Sequence, residues 1–242
     1  MFFVTSWDDG HPEDERLAEI LAKYSVRGTF FVPVRNREGR SVMDPAAICR
    51  LQEGFEIGSH TLSHVYLTSE RPEVIKFEIE EGRRCLEQVL GRRVRGFCYP
   101  GGRYNRLVRQ QVIDAGFEYA RTTDNFYLDA GKDRFAVPTT LQLYRHARSI
   151  YVRNFLARGA WCQRGQAFAK CVSSEGLVSR AARIIDYVNA RNGVCHIWGH
   201  SWEIARYGLW NDVEAIMKYA SQSNPRFMTV GELALATSRP DR

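Results

Sequence analysis

Short apolar runs alternate with amphipathic stretches along the chain. The run FFVTSW near the N-terminus is typical of a buried strand, and Leu17, Ile20, Leu21 and Tyr24 follow at the spacing of a helix with one buried face. Further predicted strands are GTFFVPV, residues 55–60, VRGFCYP, FEYARTT, FAVP, VCHIWGH and RFMTV. Further predicted helices cover residues 72–90, 105–115, 176–192, 211–223 and 230–237, and one begins at Asp44-Pro45. Residues 139–175 are expected to form loops with one or two short helices.

This alternation of strands and helices predicts a series of parallel βα units. The expected fold is therefore α/β: a distorted or incomplete (β/α) barrel of the TIM type with about seven strands. A doubly wound open sheet is the alternative. The chain has no repeat, linker or low-complexity segment, which predicts a single domain over residues 1–242. In both folds the functional site lies at the carboxyl ends of the strands.

Composition narrows the class of protein. Hydrophobic residues make up 44% and charged residues 26%, which is ordinary for a globular chain and excludes a disordered or fibrous one. No apolar stretch approaches the ~18 residues that span a bilayer, and MFFVTSWDDG lacks the basic region of a secretory signal. The six cysteines are irregularly spaced, so reduced thiols and a cytoplasmic location are expected.

The chain is basic, with 34 Lys and Arg against 28 Asp and Glu and a net charge of +6. The basic residues are spread over many segments, which is consistent with solvated surfaces and helix ends. The alternative is attraction to an anionic substrate, such as a phosphate-bearing sugar, or to a membrane surface. No basic tail or interleaved aromatic motif indicates nucleic acid.

Polar and ionisable residues follow the ends of different predicted strands. The clusters are DDG (8–10), SHTLSH (59–64), CYPGGRYN (98–105) and HIWGHSWE (196–203). Each alone has an ordinary structural explanation: a turn, a solvent-facing helix pair, a glycine-rich loop, or an aromatic core strand. Their joint occurrence at the carboxyl ends of separate strands predicts one active site.

The first two clusters offer the ligands of a catalytic metal centre. One aspartate, two histidines and a water describe a zinc-type site with an open coordination position. His60 and His64 can supply the imidazoles, and the Asp8-Asp9 pair can supply a carboxylate. The second carboxylate of that pair is then placed to act as a general base.

The order of these motifs resembles the polysaccharide deacetylase family, also known as the NodB-homology family. The resemblance rests on DDG, SHxxxH, YPxGxY and a late strand ending in histidine, and it runs from about Phe2 to about Glu203. GTFFVP is also similar to the second strand of that family. The resemblance implies a distorted (β/α) barrel that uses a divalent metal to remove N-acetyl, or sometimes O-acetyl, groups from sugars.

Carried over by position, the resemblance assigns roles to individual residues. It implies that Asp9, His60 and His64 bind the metal, expected to be Zn²⁺ with Co²⁺, Ni²⁺ or Mn²⁺ as alternatives. It implies that Asp8 is the general base and that the backbone amide of Tyr99 helps to hold the oxyanion. A histidine of the late strand is implied as the general acid.

That histidine is either His196 or His200, which point the same way in a strand. We expect His200, because it lies nearer the carboxyl end and hence nearer the mouth of the barrel. Trp202, Gly101 and Tyr104 are the expected substrate-binding residues. Trp7 and Trp202 could together form a sugar-stacking wall, although core packing explains Trp7 at least as well.

The chain departs from the family pattern in its third motif. Many family members have an arginine two residues before the proline of the third motif, where it orients the general base. Cys98 occupies that position here. Arg121, at the end of the next predicted strand, is hypothesised to supply the same positive charge and is counted with the catalytic residues.

The resulting prediction is a metal-dependent hydrolase that deacetylates an N-acetylated sugar in cell-surface glycan biosynthesis. Its substrate would be nucleotide-linked or lipid-linked. The alternatives are an amidohydrolase acting on a non-sugar amide, a catalytically inactive sugar-binding homologue, and a hydrolase with a Cys98–His pair. The sequence names neither the sugar, its linkage nor the oligomeric state.

Overall fold

The structure, a computed structural model, describes residues 1–157 and 159–237. Its strands form one sheet in which every paired strand is parallel to its neighbour. The strands are β1 (Phe2–Asp8), β2 (Gly28–Val32), β3 (Glu56–Ser59), β4 (Gly96–Cys98), β5 (Tyr119–Arg121), β6 (Leu141–Gln142), β7 (Val194–Gly199) and β8 (Arg226–Met228). Their order is β5-β4-β3-β2-β1-β7-β6, and β8 pairs with the first half of β1. Seven strands thus form a curled half-barrel, which confirms the predicted incomplete barrel.

Helices surround this sheet and join its strands. They are α1 (Asp14–Lys23), α2 (Pro45–Leu51), α3 (Pro72–Leu90), α4 (Arg106–Asp114), α5 (Arg148–Ala157), α6 (Trp161–Val172), α7 (Leu177–Asn189), α8 (Ser201–Arg206), α9 (Trp210–Gln222) and α10 (Val230–Thr237). Local chemistry fixes several of their ends. The Asp44 carboxylate accepts the Ala47 N–H at 2.8 Å, and Asn105 caps α4 in the same way at Val108. Gly91 ends α3 in the left-handed conformation.

The first strand lies at the centre of the sheet and is buried along nearly its whole length. It is flanked by β7 on one side and by β2 and β8 on the other. Trp7 on this strand is fully buried, and its indole N–H donates to Thr5 Oγ1 at 3.2 Å. Trp7 is therefore part of the core, and the hypothesis that it forms a sugar-stacking wall is wrong.

The structure corrects the sequence-based elements where the local pattern was weak. FAVP is not a strand, because only Val137 forms a bridge, to Arg121. The strand β6 and the short helix α8 were not predicted, since two residues and six residues give no readable periodicity. Residues 139–175 contain two helices, α5 and α6, as expected.

All six cysteines are free thiols. Within residues 1–157 and 159–237, no helix combines the length and the hydrophobicity needed to cross a membrane.

Candidate active site

Most of the predicted site residues converge on one pocket at the carboxyl ends of the strands. The pocket has a volume of about 260 Å³. It is lined by Asp8, Asp9, Glu38, Arg40, His60, His64, Tyr66, Gly101, Thr123, Trp198, His200, Trp202 and Glu203. Strands β1, β3 and β7 and the loops that follow them supply most of this lining, since β1 ends at Asp8, β3 ends just before His60, and β7 ends just before His200.

The centre of the pocket holds the three residues expected to bind a metal. Asp9 Oδ1 lies 3.7 Å from His60 Nε2 and 3.1 Å from His64 Nε2. One ligand atom from each residue lies within 4.8 Å of the other two. All three side chains are buried, so the cluster is enclosed by protein on most sides.

Unusual backbone conformations aim these side chains at one point. Asp9, Thr61 and His64 have φ angles of +77°, +70° and +56°, in the left-handed region that residues with a side chain rarely adopt. Such conformations cost about 1–3 kcal/mol each and persist only where the surrounding contacts enforce them. Their occurrence at and beside the candidate ligands indicates that the backbone is shaped by the site.

Helix α3 enforces the shape of the histidine loop. The Glu78 carboxylate accepts the Ser63 N–H at 2.8 Å and the Ser63 hydroxyl at 2.6 Å. The Glu78 carbonyl accepts the Leu62 N–H at 2.9 Å. Gly82, one turn later, lies so close that a Cβ there would come within 2.6 Å of the Thr61–Leu62 backbone. The loop between the two histidines is therefore bound to the helix by hydrogen bonds and by direct backbone packing.

The protonation states leave ligand lone pairs free. His60 Nδ1 lies 2.8 Å from the Cys98 carbonyl oxygen and donates its hydrogen there, so Nε2 faces the cluster as an acceptor. Burial lowers the pKa of His60 to about 4, which keeps the ring neutral at pH 7. Although burial opposes ionisation of Asp9, its hydrogen bond with His64 and the nearby His200 hold its pKa well below the usual range.

This donor set fits a divalent cation. The lone pairs of His60 Nε2 and of the Asp9 carboxylate face one another, and Asp9 Oδ1 is buried without a hydrogen bond of good geometry among the described residues. Two facing acceptors repel each other unless a cation lies between them. Imidazole nitrogen and carboxylate oxygen are both common zinc ligands. Asp9, His60 and His64 could therefore hold a metal ion.

Asp8 lies behind this cluster and forms a buried ion pair. Arg121 Nη2 contacts Asp8 Oδ1, and both side chains are almost completely buried. Cys98 and Arg121 are direct partners in the β4–β5 register, and Cys98 Sγ lies 3.7 Å from Asp8 Oδ2. The contact required by the Arg121 hypothesis is thus present, with the guanidinium reaching Asp8 from the strand next to β4.

The same surroundings argue against Cys98 as a nucleophile. Burial raises the pKa of its thiol well above the usual range, so the sulfur is protonated at neutral pH. The thiolate is the reactive form of cysteine. The alternative of a Cys98–His hydrolase is therefore not supported.

The two late histidines occupy different environments. His196 is fully buried, with Nε2 2.9 Å from Ser6 Oγ and Nδ1 2.8 Å from the Pro138 carbonyl oxygen. His200 lines the pocket, and its Nδ1 lies 2.6 Å from Glu203 Oε2. Burial acts against protonation of His200, but the bond to Glu203 and the charge of Asp9 outweigh it and raise the pKa to about 9.

The remaining predicted residues divide between the pocket and its surroundings. Trp202 lines the pocket, and its indole N–H donates to Asp9 Oδ2 at 2.8 Å. Gly101 lines it with φ of +61°, and a Cβ there would lie 2.6 Å from the Tyr66 ring. Tyr104 does not line the pocket and instead stacks on Tyr99 with ring centroids 4.8 Å apart. The expectation that Tyr104 binds substrate therefore stays a prediction.

Tyr99 is also engaged elsewhere. Its hydroxyl donates to the Phe135 carbonyl at 3.0 Å, and its backbone N–H donates to the Arg121 carbonyl at 3.2 Å. The amide is thus not a free donor, and an oxyanion role requires it to leave this bond. That role stays a prediction.

Sequence reasoning missed several residues of the pocket. Arg40, Glu38 and Tyr66 lie in the loops that follow β2 and β3. Their positions at the carboxyl ends of predicted strands were the available signal. Glu203 was noticed only as part of the fourth motif, although its position three residues after His200 places both on one face of a helix.

Comparisons with known proteins agree with this geometry. Residues 3–120 match the family model described as polysaccharide deacetylase. Over 119 residues the chain is 32% identical to the chitooligosaccharide deacetylase of Azorhizobium caulinodans, which covers 47% of this chain and 54% of that protein. The chain spans about half the length of the curated relatives it matches.

Solved structures show the same fold over the whole chain. A proposed polysaccharide deacetylase from Mycobacterium smegmatis matches 100% of this chain and 95% of its own, with 16% identity and a TM-score of 0.67. A family 4 acetyl xylan esterase from Clostridium thermocellum, in complex with a cobalt ion, matches 100% of this chain and 94% of its own, with 19% identity and a TM-score of 0.62. At these identities the likeness concerns the fold alone. The resemblance inferred from the motifs is confirmed: residues 3–120 match the polysaccharide deacetylase family.

Proposed function

We propose that this protein is a divalent-metal-dependent hydrolase that removes the acetyl group from an N-acetylated sugar. The observation that carries the proposal is the convergence of Asp9, His60 and His64 in one buried cluster beside the Asp8–Arg121 and His200–Glu203 pairs. The family match over residues 3–120 supports deacetylation as the reaction. Zinc is the proposed metal, because it accepts this ligand set and leaves a coordination position open.

In this mechanism Asp9, His60 and His64 would hold the cation. When bound, the cation supplies Lewis-acid polarisation of the acetyl carbonyl and of the attacking water. Asp8 takes the proton of that water as the general base. Arg121 balances the charge of the buried Asp8 carboxylate and fixes its orientation.

His200 completes the reaction as the general acid. With its pKa at about 9, the ring is protonated at neutral pH and can deliver a proton to the sugar nitrogen as the C–N bond breaks. Glu203 holds Nδ1, so Nε2 is the nitrogen available for the transfer. Acetate and the free amino sugar are the products.

Other parts of the proposal rest on the sequence alone. They are the role in cell-surface glycan biosynthesis, the cytoplasmic location, the single domain over residues 1–242 and the nucleotide-linked or lipid-linked form of the substrate.

The test combines elemental analysis with an acetate-release assay on N-acetylated sugars and their nucleotide conjugates. We expect about one zinc per chain in the wild type, zinc but almost no turnover in Asp8→Asn, and neither in His60→Ala. His146→Ala, which changes a histidine outside the pocket, is the control and should retain zinc. Zinc retained by His60→Ala would refute the ligand assignment. Acetate released only from non-sugar amides would replace the sugar substrate with the amidohydrolase alternative.

A further inference from the structure

Two arginines lie on aromatic rings that line the pocket. The Arg40 guanidinium lies 4.2 Å from the centre of the Trp202 ring, and that of Arg103 lies 4.7 Å from the centre of the Tyr66 ring. Arg40, Trp202 and Tyr66 all line the pocket. Arg103 itself is exposed and is not among the lining residues, so its pair places a cation on the outer side of a ring that lines the pocket.

The sheet order explains why the two arginines flank the candidate metal site. Arg40 lies in the loop after β2, Tyr66 in the loop after β3 and Arg103 in the loop after β4, and these strands are adjacent in the sheet. His60 and His64 belong to the middle loop. The two guanidinium groups thus come from either side of the loop that carries the histidines.

These guanidinium groups keep hydrogen-bonding capacity. Among the described residues, the side chain of Arg40 forms a hydrogen bond with Glu38 only, through Nη1, so Nε and Nη2 are available. In the same part of the chain, no hydrogen bond or ion pair is formed by the side chain of Arg103, which is exposed. A guanidinium with free N–H groups is suited to bidentate recognition of a phosphate.

The charge balance of the pocket also favours an anion. Asp8 is paired with Arg121, Glu203 with His200 and Glu38 with Arg40, which leaves Asp9 as the unbalanced charge among these groups. A divalent cation bound at Asp9 would change the net charge of these groups from negative to positive. A positive, partly enclosed site concentrates anionic substrates.

The distance from Arg40 to the candidate metal site indicates where the anionic group of the substrate would lie. Arg40 Nη1 lies 4.0 Å from Asp9 Oδ2. The anionic group must therefore be close to the acetamido group that is hydrolysed. In a 2-acetamido sugar with a phosphate ester at C1, the two groups are on neighbouring ring carbons.

We propose that Arg40 and Arg103 form a phosphate subsite and that the substrate class is an acetamido sugar carrying a phosphate ester on the adjacent carbon. This inference rests on the proposed deacetylase function and names its substrate class. Sugar 1-phosphates, nucleotide diphosphate sugars and lipid diphosphate sugars share that chemistry.

The first experiment compares N-acetylglucosamine 1-phosphate with N-acetylglucosamine on the zinc-loaded enzyme. We expect kcat/KM to be at least about tenfold higher for the phosphate ester, as one charge-assisted interaction provides. Arg40→Gln and Arg103→Gln should each lower the ratio of the two kcat/KM values toward one. Arg106→Gln, which removes the same charge from an exposed position at the start of α4, is the matched control.

A binding measurement separates this inference from the proposed function. Calorimetric titration of zinc-loaded Asp8→Asn with N-acetylglucosamine 1-phosphate should show binding that weakens in Arg40→Gln and Arg103→Gln backgrounds. Arginine-dependent binding without turnover in the wild type would retain the subsite and refute the deacetylase. Turnover without preference for the phosphate, unaffected by either substitution, would refute the subsite alone. Because Arg103 is exposed, its variant keeps the test valid even if Arg40→Gln unfolds.

Two further substrates distinguish the possible sources of the phosphate. The nucleotide diphosphate and a short-chain polyprenyl diphosphate of N-acetylglucosamine are compared with the 1-phosphate under the same conditions. The conjugate with the highest kcat/KM identifies the carrier. If both conjugates react no faster than the neutral sugar while the 1-phosphate does, the free sugar phosphate is the substrate.

Discussion

The bond to Glu203 explains how His200, the proposed general acid, can stay protonated at neutral pH. A general acid must be protonated, so turnover falls as the pH rises through its pKa. The bond to Glu203 and the negative charge of Asp9 raise the pKa of His200 to about 9. A cation bound at Asp9 would cancel that carboxylate's contribution, so the alkaline limb of the kcat profile of the zinc-loaded enzyme is expected above the ordinary pKa of histidine but below about 9.

Glu203→Gln should move this limb. Without the carboxylate the pKa of His200 falls toward the ordinary value, and the loss of activity shifts to lower pH by about one unit or more. The measurement is kcat against pH for the zinc-loaded enzyme. Glu214→Gln removes the same charge on α9, where it pairs with Lys23, and should leave the profile unchanged. An unmoved alkaline limb in Glu203→Gln would show that this pair does not set the acid's pKa.

The Asp8–Arg121 pair allows a test of how the missing third-motif arginine is replaced. Arg121→Ala leaves a buried carboxylate without its partner, which is expected to cost about 3–5 kcal/mol of stability and at least about a hundredfold in kcat. Because Cys98 lies beside Arg121 in the register and 3.7 Å from Asp8, an arginine introduced at this position can approach the same carboxylate. Cys98→Arg in the Arg121→Ala background should restore part of the activity.

The comparison uses kcat and the free energy of unfolding of wild type, Arg121→Ala and the double variant. Cys98→Ala in the same background is the control for loss of the thiol alone. Full activity in Arg121→Ala would remove the residue from the mechanism.

At the residue scale, positions at strand ends could be predicted from the sequence, whereas most individual contacts could not. Asp8, Asp9, His60 and His64 could be proposed as a site because each follows a strand and the strand ends meet at one edge of a parallel sheet. The Tyr99 amide and the Tyr104 ring could not be placed, because their positions depend on which neighbour each group pairs with. Arg40 was missed because only the folded loop brings it onto Trp202.

At the scale of elements, the strongest periodic segments were predicted almost to the residue. The predicted helix over 72–90 matches α3 (Pro72–Leu90), because Pro72 begins it, Gly91 ends it and a long apolar stripe runs between. FAVP has the composition of a strand, but within the described residues only Val137 pairs, in a single bridge with Arg121. Pairing is a long-range property, so composition overestimates strand at such a segment.

Helix α3 also controls the histidine loop, which makes Gly82 a test of that coupling. Gly82→Ala places a methyl group 2.6 Å from the Thr61–Leu62 backbone, so the helix and the loop must separate. We expect a loss of about 1–3 kcal/mol in the free energy of unfolding and weaker zinc binding.

Gly165→Ala is the matched control within a helix. A Cβ at Gly165 on α6 meets nothing within 4 Å, so alanine should stabilise the protein by about 0.5–1 kcal/mol. Denaturant unfolding and zinc titration of both variants measure the difference. Equal zinc affinity in Gly82→Ala and wild type would show that α3 does not position the ligands.

At the scale of the whole molecule, the candidate metal site joins distant parts of the chain. Asp9 follows the central strand β1, which pairs with β2, β7 and β8, while His60 and His64 follow β3. A cation held by these residues links loops that are more than fifty residues apart in sequence. Metal binding should therefore stabilise the native state as a whole, because the unfolded chain does not hold the three ligands together.

Thermal unfolding of the metal-free protein with and without zinc measures this stabilisation. At a free zinc concentration about 100 times the Kd, the expected gain is about 2.7 kcal/mol, which raises the Tm of a chain of this size by about 5–10 °C. Asp8→Asn should show the same rise, since Asp8 is proposed as a base and not as a ligand, whereas His60→Ala should show almost none. A rise of equal size in His60→Ala would mean that zinc binds elsewhere. A rise in wild type that is lost in both variants would make Asp8 a ligand, which would leave the water without its proposed base.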